Sequence, residues 1–288
     1  MGETEQRVSF DNYENDGGYT PDLYDFHEID EGIENLESVS DADIAAYHQN
    51  GYLAVKQGIT GDELADVKAG MMHLISGGNP EFKGVQFEGS YRDRLQELTD
   101  EERWDAVRKL QHFVGYDDRL SALAEHPGLK GVIGRIIGEE PALFSHQAIL
   151  KAPRVGREKP WHQDHAYFNL PLGTQIVSVW LSLDYATPEN GCMRVIPVTH
   201  KEGPVVHFKR RDWQICDTDV VRNRVVAIQL PPGGCLFWSG MIHHGTPENN
   251  TDARRRAIQL HYYPASVERT SSEERLAIFG SEGKDVTC

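Results

Sequence analysis

Hydrophobic and polar positions follow two regimes along this chain, and the change comes near residue 140. Before it, apolar residues recur at helical spacing. Ser40-Asp41-Ala42-Asp43 has the form of a capping box, and Ile44 and Tyr47 follow on one helical face until Asn50-Gly51 stops the run. Tyr52-Leu53-Ala54-Val55 reads as a strand. Thr60-Gly61-Asp62-Glu63 is a fuller capping box; it opens a helix striped by Leu64, Val67, Met71 and Ile75 and closed by Gly77-Gly78. Residues 79–125 are charged, helix-rich and loosely patterned. Pro127 then starts a helix with Leu129, Val132 and Ile136 as its stripe and Gly138 as its stop.

From Ala142 short β-type runs take over, at about 143–151, 160–169, 175–184, 192–198, 224–230, 234–239 and 256–263. Turn residues part them, among them Pro188-Glu189-Asn190-Gly191 and Pro231-Pro232-Gly233-Gly234. Seven or eight short strands after a helical lead-in predict a mainly β fold with α: a jelly-roll, cupin-like barrel buttressed by N-terminal helices. The expected plan is an N-terminal arm over 1–38 and a single domain over 39–288. Within that domain a helical lead-in spans 39–140, the barrel about 142–264 and a tail 265–288. The arm is acidic but carries Phe10, Tyr13, Tyr19, Tyr24 and Phe26, more aromatics than a solvated tail spends. It is expected to lie on the domain or on a neighbouring subunit, with a disordered tail as the alternative.

Composition narrows the partners. A formal net charge of −16 leaves no cationic surplus for nucleic acid or an anionic membrane. Four widely spaced cysteines (Cys192, Cys216, Cys235, Cys288) form no Cys-x-x-Cys and read as reduced thiols. A polar, acidic start and no apolar run of membrane-spanning length make the cytoplasm the expected location.

The candidate chemistry sits in Trp161-His162-Gln163-Asp164-His165 and in Met241-Ile242-His243-His244-Gly245, with Arg255 eleven residues after His244. His-x-Asp with a distant His is the donor set of a 2-His-1-carboxylate facial triad, which leaves one face of an octahedral iron(II) open. Residues two apart in a strand share a side, so His162 and Asp164 are expected on one strand facing one metal, with Gln163 turned away. The connection from Thr199 to about Val225, with Lys209-Arg210-Arg211-Asp212-Trp213, is too long for a turn; it reads equally as a lid or as a surface excursion.

Several motifs in this order resemble the phytanoyl-CoA dioxygenase family. They are Trp161-His162-Gln163-Asp164, Ile176-Val177-Ser178-Val179-Trp180, the stretch from Asn190 to Lys201, Ile242-His243-His244-Gly245-Thr246, and Arg255. The resemblance spans about residues 40–265 and implies a double-stranded β-helix oxygenase dependent on iron(II), 2-oxoglutarate and O2. It implies His162, Asp164 and His244 as the catalytic iron ligands, with His243 the competing choice for the last. Arg255 would grip the distal carboxylate of 2-oxoglutarate, a task suited to a planar guanidinium. Thr246, Gln147 and Trp180 would complete the co-substrate site. His165, Tyr167 and Phe168 would line the substrate pocket, and Arg210, Arg211 and Trp213 would close over it.

The implied reaction is hydroxylation of a C–H bond of a small-molecule metabolite, with release of succinate and CO2. Related halogenases lack the carboxylate that Asp164 supplies, so halogenation is not expected. Two other readings stand beside this one: a cupin-like small-molecule binding protein without oxygenase activity, and a zinc hydrolase on the same triad.

Overall fold

The computed structural model describes residues 9–10 and 18–280, so Tyr13 and Cys288 lie outside the described residues. Both capping boxes close. Ser40 and Thr60 each accept a backbone N–H at 3.3 Å, from Asp43 and Glu63, and the two carboxylates accept the cap N–H in return at 2.8 and 2.7 Å. They start α1 (Asp41–Asn50) and α2 (Gly61–Ile75). Gly51 ends α1 at φ 90°, a backbone angle that suits only glycine. The remaining helices are α3 (Asp100–Ala106), α4 (Asp118–Ala124), α5 (Pro127–Ile137) and α6 (Ser272–Phe279). Among the described residues no helix is long and apolar enough to cross a membrane.

Ten strands carry the site: β1 (Tyr52–Gln57), β2 (Val107–Gln111), β3 (Pro141–Lys151), β4 (Lys159–His162), β5 (Val177–Ser182), β6 (Arg194–Ile196), β7 (Val226–Ile228), β8 (Cys235–Ser239), β9 (His243–Thr246) and β10 (Arg255–Pro264). The larger sheet runs β2-β3-β10-β5-β8-β1 and the smaller β7-β6-β9-β4, and together they form the jelly roll. Strict alternation divides their side chains. Val177, Val179 and Leu181 of β5 and Ile258, Leu260 and Tyr262 of β10 pack in one core with Val67, Met71 and Leu74 of α2 and Leu129, Ile133 and Ile136 of α5. The other parity of the larger sheet faces the barrel interior, where Trp180, Leu236, Trp238 and Ala257 meet Met193, Val195 and Val226.

Four expectations change in detail. The strand expected over 160–169 ends at His162, and Asp164–Tyr167 is a 3-10 turn. The helix-rich reading of 79–125 overlooked the strands Val85–Phe87 and β2; β2 adds to β3, with Lys109 opposite Ile149. Of the expected arm, the described stretches Glu28–Asp30 and Ile33–Asn35 are strands that pair with β7 and β1. Its Tyr24 stacks on Trp161 at 5.5 Å, and the Trp161 indole N–H donates to the Leu23 carbonyl at 3.2 Å. The expected C-terminal tail holds α6, whose Phe279 is buried against His165.

Candidate metal centre

His162 and His244 are cross-strand partners in the β4–β9 pair, so both side chains leave the sheet on the same face. Their rings lie 4.1 Å apart. Gly245 permits this close pairing, since a Cβ there would sit 3.1 Å from the Lys159 carbonyl oxygen and the Trp161 nitrogen. Asp164 reaches the same point from the 3-10 turn rather than from the strand, correcting the alternation argument made for it. Its Oδ1 stands 3.5 Å from Nε2 of each histidine, and one ligand atom from each of the three residues fits within a 4.8 Å cluster.

Each side chain is held by its other polar atom. His162 Nδ1 bonds the Pro160 carbonyl at 2.8 Å and His244 Nδ1 the Ile242 carbonyl at 3.1 Å; a carbonyl can only accept, so Nδ1 carries the proton and Nε2 the lone pair. Asp164 Oδ2 accepts from the Ser178 hydroxyl at 2.8 Å and the Trp238 indole at 2.9 Å, and Ser178 also bonds His261 Nδ1 at 2.8 Å. That leaves Oδ1 facing the cluster. Burial opposes the charge of Asp164, yet His244, His261 and His162 together hold its carboxyl well below the usual range. Burial, then the neighbouring His244, pushes His162 down to about 4, so its ring is neutral at pH 7. His244 Nε2 is buried with no hydrogen-bond partner.

His243, the competing ligand, points to the opposite face. It is not at the surface, as a strand-end histidine would be: it is 3% exposed, and neither ring nitrogen finds a partner. Gln163 does turn away from the triad. Its side chain donates to the carbonyls of Gly203 (3.0 Å) and Met241 (2.9 Å) and accepts from Val205 N–H at 2.8 Å, tying the long connection to the metal strand.

A narrow inner cavity leads from His162 and His244 to Arg255, walled by Trp180, Met193 and Thr246. Arg255 is 1% exposed, lies 5.5 Å from the Trp180 ring, and has no carboxylate partner among the described residues. Its Nε and the Thr246 hydroxyl are buried without partners among the described residues. Burial pushes its pKa down to about 9. Lys151, directly opposite Arg255 in the β3–β10 register, is also fully buried and meets only the carbonyls of Thr246 and Pro247. Burial, then the neighbouring Arg255, pushes the Lys151 amine well below the usual lysine range, so Arg255 is the desolvated charge that an anion would satisfy.

The outer cavity, about 270 Å³, opens on the triad from the other side and is lined by Lys109, His112, His146, Gln147, Tyr167 and Phe168 among others. Gln147 donates to Gln259 at 2.7 Å and so stands between the two cavities. Four expected pocket residues lie elsewhere. His165 is buried against Phe279 with Nε2 on the Leu170 carbonyl. Arg211 is locked in ion pairs with Glu158 and, at 2.7 Å, with Asp217, and Trp213 packs under Tyr167. Arg210 also turns to Asp217, at 3.6 Å. The long connection, a hairpin of His207–Lys209 on Trp213–Ile215, is thus a buttress of the metal strand.

Sequence reasoning missed Ser178, Trp238, His261, Lys151 and Lys109. Strand parity carried a signal for two of them: Ser178 shares the inward face with Trp180, and His261 shares it with Arg255.

Comparisons with known proteins point the same way. The pattern that defines the family described as "Phytanoyl-CoA dioxygenase (PhyH)" matches residues 47–257. A probable phytanoyl-CoA dioxygenase of Caenorhabditis elegans is 25% identical over 231 residues, covering 75% of this chain and 72% of that protein. L-proline trans-4-hydroxylase of Streptomyces griseoviridis is 27% identical over 201 residues, covering 62% and 75%. The epimerase SnoN from nogalamycin biosynthesis, solved with Fe3+, alpha ketoglutarate and nogalamycin RO, superposes with a TM-score of 0.65 at 20% identity, covering 82% of this chain and 86% of its own. At that identity the likeness carries the fold.

Proposed function

The chain belongs to the phytanoyl-CoA dioxygenase family, and from that premise we propose that it is an iron(II)- and 2-oxoglutarate-dependent oxygenase that hydroxylates a C–H bond of a small-molecule metabolite. The observation that carries this reading is the pairing of a His-Asp-His cluster with a fully buried arginine that has no anion of its own among the described residues. The residues present fit both groups. Two imidazole Nε2 atoms and one carboxylate oxygen converge, with no cysteine among them, which suits iron(II). The unpartnered Arg255 and Thr246 suit a carboxylate at the far end of the inner cavity.

Iron(II) with 2-oxoglutarate and O2 would supply the oxidising power, releasing succinate and CO2 as the substrate C–H bond is oxidised. The chain's own residues bind, orient and exclude. His162, Asp164 and His244 hold the metal. Arg255 and Thr246 hold one carboxylate of the co-substrate, and Trp180 walls it from the core. Lys109 offers a second cation for a dianionic co-substrate: it lines the outer cavity with His162 and Asp164, and the carboxylates that face it, Asp212 and Glu88, are engaged by Lys159 and Arg108. Asp164, clamped by Ser178 and Trp238, fills the place a halide would need, which favours hydroxylation over halogenation.

The test is anaerobic reconstitution with iron(II) followed by 2-oxoglutarate, watching for the weak visible charge-transfer band of the bidentate complex. The band is expected in the native protein, absent in His162→Ala and weakened in Arg255→Ala, with succinate formed once air is admitted. Iron bound without a band or succinate would favour the binding-protein reading. Activity that survives without O2 and 2-oxoglutarate would favour the hydrolase.

A further inference from the structure

The family name suggests an acyl chain, but the outer cavity is built for something else. Its wall away from the triad comes from β2, the residue after it, and β3, which present Gln111, His112, Ser145 and His146. His146 is held from both sides: its ring packs edge-on to Phe113 at 4.9 Å, and its Nδ1 accepts the Val114 backbone N–H at 3.4 Å. An Nδ1 that accepts leaves the proton on Nε2. That Nε2–H has no partner among the described residues, and neither do the side-chain polar groups of Gln111, His112 and Ser145. His112 adopts φ 57°, an uncommon left-handed backbone for a residue other than glycine. There its N–H donates to the His146 carbonyl at 3.1 Å, and the two rings meet edge-on at 5.7 Å.

We propose that this wall selects a small oxygen-bearing polar metabolite, with His146 Nε2–H donating to a substrate carbonyl, carboxylate or hydroxyl oxygen and His112 making the second contact. The inference rests on the oxygenase reading of the same site. A saturated acyl chain here would strip water from these polar groups and return no hydrogen bond. A site of that kind rejects the ligand lacking the partner more strongly than an apolar pocket rejects an added hydroxyl. Burial, then the neighbouring His112, pushes His146 down to about 4, so it stays a neutral donor at working pH.

The experiment offers the protein, loaded with iron(II) and 2-oxoglutarate in air, two sets of probes. One set is amino acids, hydroxy acids and free sugars; the other is medium- and long-chain fatty acids and their coenzyme A thioesters. Succinate formed above the rate without probe is the readout, and amino or hydroxy acids against sugars separates carboxylate from hydroxyl recognition. Stimulation is expected from the polar set alone. His146→Phe should then raise the KM of the stimulating compound tenfold or more, His146→Gln should recover part of it, and the KM for 2-oxoglutarate should stay within twofold. Stimulation by acyl compounds, stimulation by neither set, or an unchanged KM in His146→Phe overturns the proposal while leaving the charge-transfer band in place. A native protein with no band and no succinate sinks the oxygenase reading instead. Nitrogen-15 histidine spectra then decide the inference: the polar set shifting the His146 ring signals supports it, and no shift refutes it.

Discussion

The inner and outer cavities share His162 as a common wall, yet they are made differently. The inner one lies between the two sheets, and each of its polar residues is fixed by strand register. Arg255 faces inward because β10 alternates, and His162 meets His244 because β4 and β9 pair there. The outer one takes its wall from β2, which extends the larger sheet beyond β3, from the residue just after it and from β3 itself. Some of its groups are held by local contacts added to the strand register, such as Val114 N–H on His146. Chemistry common to a reaction belongs in the first kind of site; recognition of one substrate belongs in the second.

That contrast can be broken in several places. The largest effect is expected from His162→Ala or His244→Ala: bound iron and succinate production should fall below detection with the fold intact by circular dichroism. Arg255→Ala should raise the KM for 2-oxoglutarate by roughly a hundredfold, about 2.7 kcal/mol of charged hydrogen bonding. Arg255→Lys should recover little, because an ammonium cannot match the two parallel bonds. A comparable loss should appear in a different quantity for Arg211→Ala. Removing Arg211 leaves Glu158 buried beside Asp217, which should cost about 3 kcal/mol in denaturant unfolding while leaving the KM for 2-oxoglutarate unchanged. A pure KM effect would return Arg211 to the substrate site.

Smaller effects sharpen the comparison. Ser178→Ala frees one side of Asp164 and should weaken metal binding about tenfold in a cobalt(II) titration, without changing stability in proportion. Smallest is a pH effect. Burial, then the cations Lys159 and Arg108, lowers Lys109 to about 8, opposed by Asp212 and Glu88. Below that pH its charge favours a dicarboxylate, so the KM for 2-oxoglutarate should rise severalfold between pH 7 and 9.5. That rise should be smaller in Lys109→Met, where Arg255, pushed down to about 9 by burial, still titrates.

Residue order alone picked out the candidate donor set, most of the barrel strands and the inward place of Arg255. Period-two alternation and the types of side chain are local properties that survive translation into structure. Some of the site was legible in principle: once Arg255 faces inward, Gln259 and His261 must as well. Tertiary structure decided the rest. Asp164 joins His162 from a turn, because the strand expected to run to 169 stops at His162. Trp238 meets Asp164 from another strand, 74 residues away in sequence. Lys109 lies in Val107-Arg108-Lys109-Leu110-Gln111, whose charges hid a strand that exists because β3 offers it an edge. Arg211 read as a loop cation open to substrate, and the fold brought Glu158 to it. A side chain's own chemistry is written in the sequence; which partner neutralises it depends on chain segments that meet only after folding.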